Sequence, residues 1–201
     1  MDAYPVELHV DPSRMHRGHV LVRLALLAAL AAIGCSSAYW LLYLALPMIA
    51  ALLVSRDGSD RYLDRDAVDI VGVLRWFAGA YAYLWLLTDA LPTSEASGPV
   101  VLSVEAGGRP TVSSALWRLL TSLPALLLLA ILSMAASLLW IVGAIAILVA
   151  GRVPAAITDF ISMKLRYQFR LVAYHLSLVD AYPALADSRL VHSQSPHSDA
   201  T

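Results

Sequence analysis

The 201-residue chain is 59% hydrophobic and only 14% charged, with a formal net charge of −1. So few charges and such long apolar runs exclude an ordinary soluble domain and point to a membrane protein, and a near-neutral balance argues against nucleic acid as a partner. The single cysteine, Cys35, excludes an intrachain disulfide and, lying in an apolar tract, reads as a small packing residue.

The first element in chain order is an alternating stretch, Pro5-Val6-Glu7-Leu8-His9-Val10-Asp11, which predicts a β-strand of period two. Arg14, His16 and Arg17 then precede an apolar run in the manner of a signal peptide. The start Met1-Asp2-Ala3-Tyr4-Pro5 is too long and too acidic for such an n-region, so it is expected to be retained. From Leu24 to Val54 the chain is uncharged, and Gly34-Cys35-Ser36-Ser37 interrupts the run near its middle. A span needs about 20 residues. The tract is too long for one upright helix, at about 47 Å, and short for two. The favoured reading is a tight helical hairpin, either barely spanning or re-entrant, with one long tilted helix as the other solution. The stretch from Asp69 to Asp89 then has helical periodicity.

A linker is predicted at 93–98, followed by a second strand, Pro99-Val100-Val101-Leu102-Ser103-Val104-Glu105. Two isolated strands are marginal in water, so they are expected to pair with each other. The second apolar tract, Leu119 to Ala150, carries Ser133-Met134-Ala135-Ala136-Ser137 near its middle and is likewise predicted as a hairpin. Asp159 to Asp180 reads as an amphipathic helix with Lys164, Arg166, Arg170 and His175 toward lipid headgroups. The Ser-, His- and Asp-rich stretch 185–201 is predicted to be disordered.

Each half closes on the same signature. Arg75-Trp76, Ala82-Tyr83 and Asp89-Ala90-Leu91-Pro92 recur as Arg166-Tyr167, Ala173-Tyr174 and Asp180-Ala181-Tyr182-Pro183, at a constant offset of 91 residues. The expected fold is therefore a mainly α membrane protein of two repeats, 1–92 and 99–184, each a short β-strand, an apolar helical hairpin and an amphipathic interfacial helix. Arg14, Arg17 and Arg23 precede the first tract, Arg56, Arg61 and Arg65 follow it, and Arg118 and Arg152 flank the second. Positive residues at both ends of each hairpin are expected to place the termini and the repeated segments on the cytoplasmic side of the membrane.

The duplicated polar residues Arg75, Tyr83, Asp89, Arg166, Arg170, Tyr174 and Asp180 are the candidate contacts, to lipid headgroups or between repeats. Arg75 with Asp180 and Arg166 with Asp89 would pair if the copies ran antiparallel. The six histidines share no metal-binding spacing on one predicted helix. Gly107-Gly108 lacks the remainder of a phosphate loop. No catalytic, cofactor or metal site is expected.

At these residues the chain resembles the bacterial membrane family known as domain of unknown function 4389. The resemblance rests on Tyr4-Pro5-Val6, Thr88-Asp89, Gly151-Arg152-Val153-Pro154, Asp159-Phe160, Arg166-Tyr167, Arg170, Ala173-Tyr174 and Asp180-Ala181-Tyr182-Pro183, in that order along nearly the whole chain. Ser55-Arg56-Asp57-Gly58 departs from the Gly-Arg-Tyr-Pro turn in the first copy. The resemblance implies no activity. The expected function is a non-catalytic accessory or scaffold subunit of a larger membrane assembly or homo-oligomer. The alternatives are a lipid-binding or lipid-handling protein and, last, a small channel or transporter.

Overall fold

The structure is a computed structural model that describes residues 4–11, 15–32, 35–92, 99–108 and 110–185. The linker 93–98, the tail beyond 185, Arg14 and Gly34 lie outside the described residues.

Strands β1 (Val6–Val10) and β2 (Val100–Val104) pair antiparallel, as their alternation predicts. Leu8 stands opposite Leu102, with Val6 opposite Val104 and Val10 opposite Val100. Since Leu8 and Leu102 hold the same place in the two matching strand sequences, a local two-fold axis runs through that pair. Asp11 N donating to Pro99 O and Glu105 N donating to Pro5 O extend the ladder at its two ends. Val6, Leu8 and Leu102 face inward, while Glu7, His9, Val101 and Ser103 face out. A half-buried two-stranded ribbon needs a floor. Two helices supply it: Ser59–Leu84, here α3, packs on β2, and Ala155–His175, here α6, packs on β1.

The first apolar tract forms α1 (Arg17–Ala32) and α2 (Cys35–Asp57). The two helices touch, while Gly34, at which the interruption was expected, lies outside the described residues. Pro47 lies inside α2. It supplies no N–H to the Tyr43 carbonyl one turn earlier.

The second tract departs from the expected hairpin. It runs as α4 (Val112–Thr121) and then as one uninterrupted helix, α5 (Leu123–Ala150), straight through Ser133–Ser137. Serine and alanine do not break a helix; Ser137 Oγ donates to the Ser133 carbonyl one turn back, 2.8 Å away. The break falls at Ser122 instead, because Pro124 is tolerated only in the first turn of α5. Thr111 and Ser114 close a reciprocal capping box at the start of α4, and Gly151, at φ 69°, ends α5 in the left-handed conformation.

Helix α6 corrects a second expectation. Far from lying with a basic face outward, it is the most deeply packed helix: Lys164, Gln168, Arg170 and His175 are all buried together with its apolar side chains. It packs against α2, α3, α4, α5 and β1. A window-based reading of amphipathicity assigns charges to solvent, whereas here neighbours remote in sequence cover them.

Two helices, Ser59–Leu84 and Leu123–Ala150, are long and apolar enough to cross a membrane. At about 1.5 Å per residue both exceed a hydrocarbon core of roughly 30 Å. Helix α5 buries only a narrow stripe that includes Ala125, Leu129, Ala136, Gly143 and Ile147. Around the rest, Leu127, Ile131, Met134, Leu138, Ile141 and Ile145 are 53–67% exposed.

Candidate functional site

Two clusters of the same construction organise the polar residues. In the first half α3 ends at Leu84, and Leu86 adopts a left-handed φ of 63°. Leu87 N donates back to Ala82 O and Leu86 N to Tyr83 O, the paired bonds of a Schellman turn. In the second half Ser177 has φ 55°, with Leu178 N donating to Ala173 O and Ser177 N to Tyr174 O. Each member of the second turn lies 91 residues after its counterpart.

Each turn aims its carboxylate at an arginine that enters from the helix opening the same half. Arg23 of α1 is fully buried, donates to Thr88 O at 2.6 Å and to Asp89 Oδ1 at 2.8 Å, and lies 4.5 Å over the Tyr83 ring. Arg118 of α4 donates to Tyr174 O at 2.8 Å, to Val179 O at 2.6 Å and to Asp180 Oδ1 at 2.5 Å, and lies 4.6 Å over the Tyr174 ring. Both arginines thus receive a ring face, backbone carbonyl and carboxylate, the combination that a planar guanidinium accommodates better than a lysine ammonium.

The clusters differ at their rims. His16 N and Nδ1 both face Asp89 Oδ2, and His19 Nδ1 lies 3.2 Å from the Tyr83 hydroxyl. In the second half, Thr121 Oγ1 meets the Tyr174 hydroxyl at 3.0 Å. Asp89 is nearly covered, with 12% of its side chain exposed, whereas Asp180 is 57% exposed.

The sequence therefore singled out Tyr83, Asp89, Tyr174 and Asp180 but assigned them other partners. Asp180 takes Arg118 and not Arg75, whose Nε donates instead to the Leu102 carbonyl of β2. Asp89 is engaged by Arg23 and His16 of its own half. Arg166 is half-buried. Arg170 is fully buried: it donates to Val6 O and Ala184 O and stacks 4.2 Å over Tyr4. It thereby joins the first strand to the last described segment and is withdrawn from any headgroup. Tyr4 adds a bond to Ala181 O, and its burial pushes the phenol up to about 12. Arg23 and Arg118 were read only as flanking charges. Their signal was a common position ahead of each apolar tract.

The end of α6 holds a further buried group. His175 lies edge-on to Tyr43, with ring centres 6.1 Å apart, and burial pushes its pKa down to about 4 against the opposing effect of the Tyr43 backbone. It is a neutral packing imidazole at physiological pH. Among the described residues no three His, Cys, Asp or Glu side chains gather to hold a metal ion.

Gly108 closes the second cluster from outside. Its φ is +102°, and a Cβ there would come 2.1 Å from Asp180 Oδ2, while Gly107 N donates to Leu178 O. Gly108→Ala is expected to lower stability by about 1–3 kcal/mol. Gly107→Ala, with open space around its Cβ, is expected to change it by no more than about 1 kcal/mol. Thermal melts of the two variants check this, and equal melting temperatures would contradict the close approach.

Residues 113–186, which contain α5, α6 and the Arg118 cluster, match the family model described as domain of unknown function (DUF4389). This segment is similar to the DUF4389 family. No curated protein and no solved structure matches the chain. Within this segment, Arg118, Tyr174, Val179 and Asp180 form one contact set, so its closing Ala173-Tyr174 and Asp180-Ala181-Tyr182-Pro183 residues serve to lock a helix end.

Proposed function

We propose that the chain is a multi-pass protein of the bacterial inner membrane: a duplicated DUF4389 module acting as a non-catalytic scaffold or accessory subunit of a larger membrane assembly. The observation that carries the membrane reading is α5, a 28-residue helix that is apolar on all sides and covered along only one stripe. Such a helix is stable against hydrocarbon or another apolar surface and costly against water. Duplication is supported by the 91-residue offset, by the matched turns and arginine clusters, and by the Leu8–Leu102 pairing on a local two-fold axis. The scaffold reading follows from how the polar residues are used. Arg23, Arg118, Arg170, Asp89 and Asp180 fasten helix ends and strands to one another, which favours a rigid platform over a reaction centre. The flanking arginines orient the termini toward the cytoplasm.

Purification of the tagged protein from native membranes in mild detergent, with mass spectrometry of proteins and lipids, tests this. A stoichiometric protein partner is the expected result. The lipid-handling alternative draws on Arg56, Arg61 and Arg65, all exposed around the end of α2 and the start of α3. A lone protein enriched in one anionic lipid class, with the enrichment lost on replacing those arginines, would favour it over the scaffold.

A further inference from the structure

Lys164 lies in the middle of α6 and is 1% exposed. Its Nζ donates to Gln168 Oε1 at 2.6 Å and stands 4.3 Å over the centre of the Trp85 ring. An ammonium carries three N–H donors. Here one neutral acceptor and one ring face attend it, on α6 and at the C-cap of α3, and no charged or titratable side chain acts on it among the described residues. Buried ammonium groups are ordinarily paired with a carboxylate, because desolvation otherwise favours the neutral amine. The attraction to an indole face requires the positive charge, whereas the bond to Gln168 survives its loss. Trp85 is the residue immediately before the left-handed Leu86 and four before Asp89, so its ring reports on the turn that holds Arg23.

We infer that Lys164 is a proton-binding switch within the fold, which when charged grips Trp85 at the end of α3 and when neutral releases it. Burial pushes the amine down from its ordinary value to about 7, and the bond to Gln168, stronger from an ammonium than from a neutral amine, works against that fall. The sign follows from that direction. The unfolded chain binds the proton more tightly than the folded one, so folded stability rises as pH rises from about 7 toward the ordinary lysine range, and the penalty of the buried charge is fully present below 7. His175 titrates far below this window.

The experiment is tryptophan emission of the full-length protein in detergent micelles, followed from about pH 5 to about pH 9. The expected result is an emission change with its midpoint near 7, absent in Lys164→Met and in Trp85→Phe. In Gln168→Leu, which removes the acceptor that favours the charged form, the midpoint should move to lower pH. A flat wild-type profile, or a transition that persists in Lys164→Met, overturns the inference. Should Lys164→Met fail to fold, Gln168→Leu decides: an unmoved midpoint overturns it as well.

Discussion

Replacing Arg118 with methionine is expected to lower stability by about 3–5 kcal/mol, the range for removing one partner of a buried charged network. The size comes mainly from the carbonyls of Tyr174 and Val179, which Arg118 satisfies from inside the fold. Buried acceptors left without donors are costly, and the stack on Tyr174 adds about 1 kcal/mol. The carboxylate matters less here. Asp180 is more than half exposed, so Asp180→Asn is expected to change stability by at most about 1 kcal/mol. In the first half, Arg23→Met is expected to match Arg118→Met, but Asp89→Asn should cost clearly more than Asp180→Asn because Asp89 is nearly covered. Lysine at either arginine position should not restore stability, since it cannot reach carbonyl and carboxylate together while lying flat on a tyrosine ring. Denaturant titrations of the four single variants, with Arg118→Lys and Arg23→Lys, check the ordering. Equal losses for the two aspartate variants would contradict the burial argument.

Leu138→Arg is the second large effect. Leu138 lies near the midpoint of α5 and is 64% exposed. Facing hydrocarbon, an arginine there costs about 2.5–3.5 kcal/mol on insertion scales and more without snorkelling. Facing water, the same change would be nearly neutral and would raise solubility. Loss of the protein from the membrane fraction is therefore expected for Leu138→Arg. Leu138→Ala, which removes apolar area without adding charge, should be retained. Fractionation of both variants at equal expression reads the difference.

The two strands were legible because alternation is a local signal, and Pro-Val-x-Leu-x-Val occurs twice. The helix ends were legible through Asp89 and Asp180, though the offset said only that these residues recur and not what they touch. Their partners Arg23 and Arg118 lie 66 and 62 residues away in sequence, and nothing in a single sequence links positions so far apart. The hairpin expected in the second tract failed because Ser133 and Ser137 were weighed as turn residues, although serine inside an apolar helix bonds back to the preceding turn. Arg170 and Lys164 were misread for a tertiary reason. Tyr4, Val6 and Trp85, which cover them, arrive from the other half of the chain.

The central claim is that the uncovered faces of α5 lie against lipid while the arginine clusters serve the interior. Photolabelling from a carbene precursor carried on lipid acyl chains, mapped residue by residue along α5 by mass spectrometry, tests it most directly. The account predicts labels on Leu127, Ile131, Leu138 and Ile145 and none on Ala125, Leu129, Ala136 or Gly143. An α5 that takes up no label, or takes it equally on both sets, would contradict it.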